Sequence, residues 1–215
     1  MIQLEVWGPY ALFTRGEMKV ERASYDVPTP SAARGIVESI YLHPGMRWVI
    51  RRIYVLNPIE FTTIRRNEVK SKILGSTAMR IAQGKEDEPY LVTMKQIVQR
   101  ASMVLTNVHY VIEAEFEMLP EKAAPGDNPG KFQDIVTRRM RKGQCFSTPY
   151  FGCREFPAHF KQWEGGPIPT IDETRDLGFM LYDFDYSDPQ NITPLYFRAK
   201  MEHGVIQVAG CEVFR

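Results

Sequence analysis

His109, in the run NVHYVIEAEF, is the residue best placed for proton chemistry. Alternation along Met103–Met118 sets His109 with Asn107, Val111 and Glu113 on one strand face, and Val104, Val108, Tyr110 and Ile112 on the other. The first face reads as open and the second as buried. An imidazole on an open face can take or give a proton near neutral pH. Cleavage of RNA needs little more than that. A base removes the 2′-hydroxyl proton, the oxygen attacks the adjacent phosphate, an acid protonates the leaving 5′ oxygen, and a cation steadies the phosphorane. Tyrosine, histidine and lysine suffice, and no metal or other cofactor is required. Tyr41 ends the run GIVESIY, two residues before His43. A core aromatic closing a helix and a reactive phenol look alike there, and both readings stand.

Cations form the second signal. Arg51, Arg52, Arg65, Arg66, Lys70, Lys72 and Lys95 fall between residues 47 and 100, and Arg138 and Arg139 lie in a later basic run. With Trp48 and Tyr54 among them, they suit a surface that tracks phosphates and stacks bases. The alternative is a set of solvated charged faces. Beyond Gly165 the chain turns acidic, so the formal net charge of +1 conceals two unlike halves. The basic surface would accept DNA as well as RNA.

Other chemistries are poorly supported. There is no Walker loop, dinucleotide-binding glycine fingerprint, GxSxG elbow or HExxH. Asp183 and Asp185 share a strand face but lack a third ligand, and the EAEFE carboxylates read as surface groups or partners of the basic ribbon. Cys145, Cys153 and Cys211 have no CxxC spacing and imply reduced thiols in a cytoplasmic protein. No apolar run is long enough to span a bilayer, and the N-terminus opens as a strand with no signal-peptide pattern.

These residues need a scaffold. Ile2–Gly8 alternates as a first strand. Thr29 and Pro30 cap and open a helix that buries Ala33, Ile36, Val37 and Ile40. Arg47–Phe61 reads as a second strand, Thr62–Leu74 as a basic ribbon, Gly75–Glu88 as an exposed loop and Met103–Met118 as a third strand. A second helix follows over Lys131–Gln144, capped by Asp127 or Asn128, buried through Phe132, Ile135, Val136 and Met140, and stopped by Gly143. PYFGCREFPAHFKQW supplies a glycine turn and a short strand. The order β-α-β-ribbon-β-α-β predicts an α+β fold of the ferredoxin-like, RNA-recognition type. It would occupy residues 1–165. A small antiparallel β-sheet domain, 166–215, follows the linker EGGPIPT.

Three stretches, GPYALFTRGEMKVERASYDVPTPSAARGIVESIYLHP, NVHYVIEAEF and YFGCREFPAHF, resemble the CRISPR-associated proteins of the fifth Cas subunit family, type I-C (Dvulg) subtype, nearly end to end. The resemblance implies a ferredoxin-like domain with a small C-terminal sheet domain. It implies a metal-independent endoribonuclease that cuts CRISPR repeat transcripts and stays on the 5′ handle of the crRNA, beside other Cas subunits of the surveillance complex. Elsewhere in the wider family the subunit only binds the handle. The implied catalytic group is a tyrosine, a lysine and a histidine. The tyrosine falls on Tyr41 and the histidine on His109. The lysine is expected beside the histidine, where this chain has Val108. The nearest lysines before it are Lys95, Lys72 and Lys70.

Overall fold

The structure, a computed structural model, describes residues 1–18, 20–85 and 92–215. The chain forms β1 (Ile2–Ala11), β2 (Arg22–Ala23), α1 (Pro30–Ile40), β3 (Met46–Val55), β4 (Glu60–Val69), α2 (Gly75–Ala82), α3 (Thr93–Gln96) and β5 (Ile97–Met118). It continues with α4 (Pro129–Lys142), β6 (His159–Gln162), β7 (Arg175–Asp185), β8 (Thr193–Glu202), β9 (Val205–Gln207) and β10 (Val213–Phe214). This is an α+β architecture built on one mainly antiparallel sheet with few helices. Its main path runs β10-β8-β9-β3-β5-β1-β6, with β2 and β4 on β5, and β7 on β8.

Strand β5 is 22 residues long and does two jobs. Its C-terminal half lies between β1 and β3, and its N-terminal half carries β4 as a two-stranded arm. The hand-over comes at Asn107, which adopts φ 47°. Asparagine tolerates the left-handed region better than most residues. Its carbonyl accepts a 2.8 Å hydrogen bond from Asn57 Nδ2.

Alternation then decides what packs where. Leu4 and Val6 on β1, Trp48, Ile50 and Ile53 on β3, and Val108, Tyr110 and Ile112 on β5 form one apolar face, and α1 and α4 cover it. Helix α1 starts as its residues dictate: Thr29 Oγ1 accepts from Ala32 N–H at 3.1 Å, and Pro30 follows. Helix α4 is capped by Asn128, whose side chain accepts from Lys131 N–H at 2.9 Å, and it ends on Gly143 with φ 62°. Its Phe132 is fully buried. Removing that ring would cost about 3–5 kcal/mol.

Two expectations shift. Pro58 and its neighbours interrupt the expected strand Arg47–Phe61, so β3 ends at Val55 and β4 begins at Glu60. The expected loop Gly75–Glu88 contains helix α2, and residues 86–88 lie outside the described residues. The C-terminal strands β7, β8 and β9 pair antiparallel in sequence order, and β9 also pairs with β3.

Gly152 fixes the turn before β6. It has φ 78°, and a Cβ there would lie 2.0 Å from the carbonyl oxygen of Leu12. No other residue type fits without moving backbone.

Burial pushes the phenols of Tyr25, Tyr41, Tyr110 and Tyr182 above the ordinary tyrosine value. The folded state therefore holds these protons more tightly than the unfolded chain does. Stability should be full below pH about 10, where unfolded tyrosines titrate, and should fall as pH rises further. Urea midpoints measured between pH 8 and 11 check this. A flat profile would contradict it.

Candidate active site and nucleic-acid interface

Tyr41 sits where α1 ends, and its backbone is held from three sides. Its N–H donates to Val37 O at 3.2 Å, its carbonyl accepts from Trp48 Nε1 at 2.8 Å, and the preceding carbonyl, Ile40, accepts from Arg139 Nη1 at 2.7 Å. The ring is largely covered. The Arg139 guanidinium lies 5.1 Å from its centroid, and the Phe132 ring 6.0 Å. His43 stacks on the same group, 6.5 Å from Tyr41 and 4.8 Å from Phe132. The first turn of α4 then adds charge. Lys131 Nζ is 2.9 Å from Asp127 Oδ1, and His43 Nε2 is 3.8 Å from Asp127 Oδ2.

A phenol, an imidazole, an ammonium and a guanidinium are thus gathered around one half-hidden point. Burial holds the Tyr41 phenol above its usual range, against the pull of Lys131 and Arg139. Asp127 keeps Lys131 charged, and Lys131 together with the Ala124 N–H keeps Asp127 ionised. His43 Nδ1 accepts from Gly45 N–H at 3.1 Å, so in the neutral ring Nε2 carries the hydrogen.

His109 is elsewhere. It pairs with Trp7 across β1 and β5, on the sheet face opposite the helices, whereas Tyr41 packs on the helix-bearing side through Phe132 and Phe116. The structure does not bring these two residues to one phosphate. The face is also less open than alternation implies, since Val111 and Glu113 are buried. His109 Nε2 is 2.8 Å from buried Glu5 Oε1, and Glu5 Oε2 is 3.2 Å from Lys161 Nζ. His159 stacks on Trp7 at 5.7 Å. Neither Glu5, His159 nor Lys161 could be linked to His109 from sequence, because Glu5 arrives on β1 and the other two on β6. Lys131 was also missed. Its signal was the periodicity that buries Phe132 and so leaves its neighbour at the rim.

The expected RNA-binding cations divide into two groups. Arg65, Lys70, Lys72, Lys95 and Arg138 are exposed, the first three on β4 or just beyond it and Lys95 at the foot of β5. The others have internal partners. Arg51 pairs with Glu115, Arg52 lies 3.6 Å from Glu113, Arg66 contacts Glu68 and Glu155 at 3.1 Å each, and Arg139 serves Tyr41. The EAEFE carboxylates are therefore spent on the arginines of β3, with Arg47 on Glu117. Asp183 takes both nitrogens of Arg34, at 2.5 and 2.9 Å, and Asp185 takes Arg215. Among the described residues, no helix is long and apolar enough to cross a membrane.

A protein from Mannheimia succiniciproducens named CRISPR pre-crRNA endoribonuclease Cas5d is 46% identical, over 96% of this chain and 94% of its own. One of the same name from Thermus thermophilus is 36% identical, over 96% and 90%. A functionally uncharacterised Streptococcus mutans protein of known structure superposes with a TM-score of 0.69 at 23% identity, over 100% of this chain and 96% of its own. The Cas5d family model, described as CRISPR-associated protein (Cas_Cas5), matches residues 1–209. The chain belongs to the Cas5d family of CRISPR-associated proteins.

Proposed function

We propose that this chain is an endoribonuclease that cuts CRISPR precursor RNA without a metal, remains on the 5′ handle, and works in the cytoplasm beside other Cas subunits. The two relatives named for that activity support the substrate. The gathering of Tyr41, His43, Lys131 and Arg139 carries the chemistry. The strand order β3-β5-β1-β6, with α1 and α4 on one face, supports the ferredoxin-like reading of the core.

In this mechanism the 2′ oxygen bonds to phosphorus and the bond to the 5′ oxygen breaks. His43, whose Nδ1 is occupied by the Gly45 N–H, gives its Nε2 proton to the leaving oxygen. Tyr41, kept protonated by its burial, accepts the 2′-hydroxyl proton on its phenol oxygen as it passes its own to a non-bridging phosphate oxygen. Lys131 and Arg139 face the charge that builds on the phosphorane. His109 plays no part in the bond changes. The deciding assay is purified protein with labelled repeat RNA in EDTA. Cleavage supports the reading. Cleavage that needs added magnesium overturns the metal-free step, and tight binding without cleavage makes the chain a handle-binding subunit.

The exposed cations set the affinity. Five of them on single-stranded RNA give a slope of log affinity against log salt of about −3.5. Arg65→Glu should weaken every RNA, while Asp172→Asn, far along the acidic segment, should weaken none. A flat salt response in a titration from low to high salt would contradict this.

A further inference from the structure

Beside Tyr41, on the other side of the α1 terminus, is a groove of about 420 Å³. Gly35, Ser39 and Leu42 form one wall, and Phe146, Ser147 and Tyr150 the other. We infer that this groove seats one unpaired base of the RNA next to the cut site. The inference rests on the catalytic reading of Tyr41.

Four observations support it. First, Phe146 is 76% exposed and Tyr150 40%, an unusual outlay of aromatic surface unless something stacks on it. Second, Phe146 is not a loose side chain on a wandering loop. The N–H groups of Phe146 and Ser147 both donate to Ser39 O, at 2.8 and 3.0 Å, which locks the aromatic wall to α1. Third, Gly35 stands in the middle of α1, where glycine is a poor helix former, and a Cβ there would meet nothing within 4 Å. The missing side chain keeps the groove open and has no packing reason. Fourth, the rim has the right charge. The C-terminal end of α4, with exposed Arg138 and Lys142 and with Arg141 held 3.1 Å from Glu164, ends four residues before Phe146 and can hold the phosphates on either side of a stacked base.

The polar groups suit an edge of a base. The Ser147 hydroxyl can donate or accept, and Ser39 Oγ, which donates to Ile36 O at 2.6 Å, still accepts. Glu38 also lines the groove; burial raises its carboxyl above the ordinary range, against the pull of Arg34, whose Nε lies 3.5 Å from Glu38 Oε1. Tyr41 has extended backbone, so its side chain and that of the next residue, Leu42, leave opposite sides of the chain. A strand crossing the α1 terminus would set one phosphate at Tyr41 and an adjoining base in the groove. The segments PSAARG and YFGC, two of the stretches behind the family resemblance, meet here.

The test walks a single abasic nucleotide through the repeat RNA, with 2′-deoxyribose at the cut nucleotide so that binding is read without cleavage. Wild type, Phe146→Ala and Gly35→Leu are compared. Phe146 is exposed and Gly35 faces open space, so both variants should fold, as circular dichroism would show. At one position next to the cut, loss of the base should weaken wild-type binding about 5- to 150-fold, the range for one stacked base. At that position it should not weaken either variant further. If both variants bind every abasic RNA with the same losses as wild type, the groove holds no base. That failure is separate from failure of the catalytic reading, in which wild type would leave the unmodified repeat uncut.

Discussion

A repeat RNA carrying one 2′-deoxyribose at the cut nucleotide should be bound and left whole. The expected effect is complete, because the substitution removes the nucleophile and nothing else. The phosphate that Lys131 and Arg139 face is unchanged, so affinity should match that of the natural RNA in a filter-binding or anisotropy titration. The natural RNA should release an upstream fragment ending in a 2′,3′-cyclic phosphate, or its opened monophosphate, visible by mass spectrometry. Normal cleavage of the deoxy substrate would mean that water attacks instead, and the roles given to His43 and Tyr41 would fall with it.

Tyr41→Phe should slow cleavage by about 10²–10⁴-fold, the usual contribution of a positioned proton-transfer group. The variant keeps the ring, so the contacts to Phe132 and Arg139 survive and the fold should hold. Lys131→Met should cost about 10²–10³-fold, the scale for losing one group that stabilises transition-state charge. Lys131→Arg should recover part of it by restoring the charge opposite Asp127. His109→Ala is the control on the other face of the sheet. Its imidazole is held by Glu5, and its removal should leave the single-turnover rate near wild type. The four rates discriminate cleanly. A dead His109→Ala with an active Tyr41→Phe would move the reaction to the opposite face.

Much of the scaffold could be read locally. Thr29, Pro30, Asn128 and Gly143 mark helix ends because each satisfies or permits backbone within four residues of itself. Alternation along β5 correctly assigned the buried row Val104, Val108, Tyr110 and Ile112. What alternation lacks is information about neighbours. Glu5 reaches His109 from 104 positions away, and Lys131 reaches Tyr41 from the start of a different helix. Whether a polar strand face is open, and which lysine completes a site, are properties of strand order and helix placement. Those are set by global packing, not by any window of sequence. The position of Tyr41 at a helix end raises it as a candidate, the resemblance gives it a catalytic role, and only the fold shows which charged groups surround it.

The central position of β5 also governs how the chain is made. β1 pairs with residues near 110, and β3 pairs first with β5 and then with β9, close to the C-terminus. Nearly every contact of the first two core strands is therefore with residues not yet translated when those strands leave the ribosome. At about 5–20 residues per second, the interval between synthesis of β3 and of β9 is roughly 8–30 seconds. Through that time Trp48, Ile50 and Ile53 lack their final neighbours. A topology so dominated by distant pairings folds slowly once complete, and the nascent chain is open to aggregation throughout. Yield in cells should then respond to translation rate and chaperone supply more than to the stability of the finished sheet.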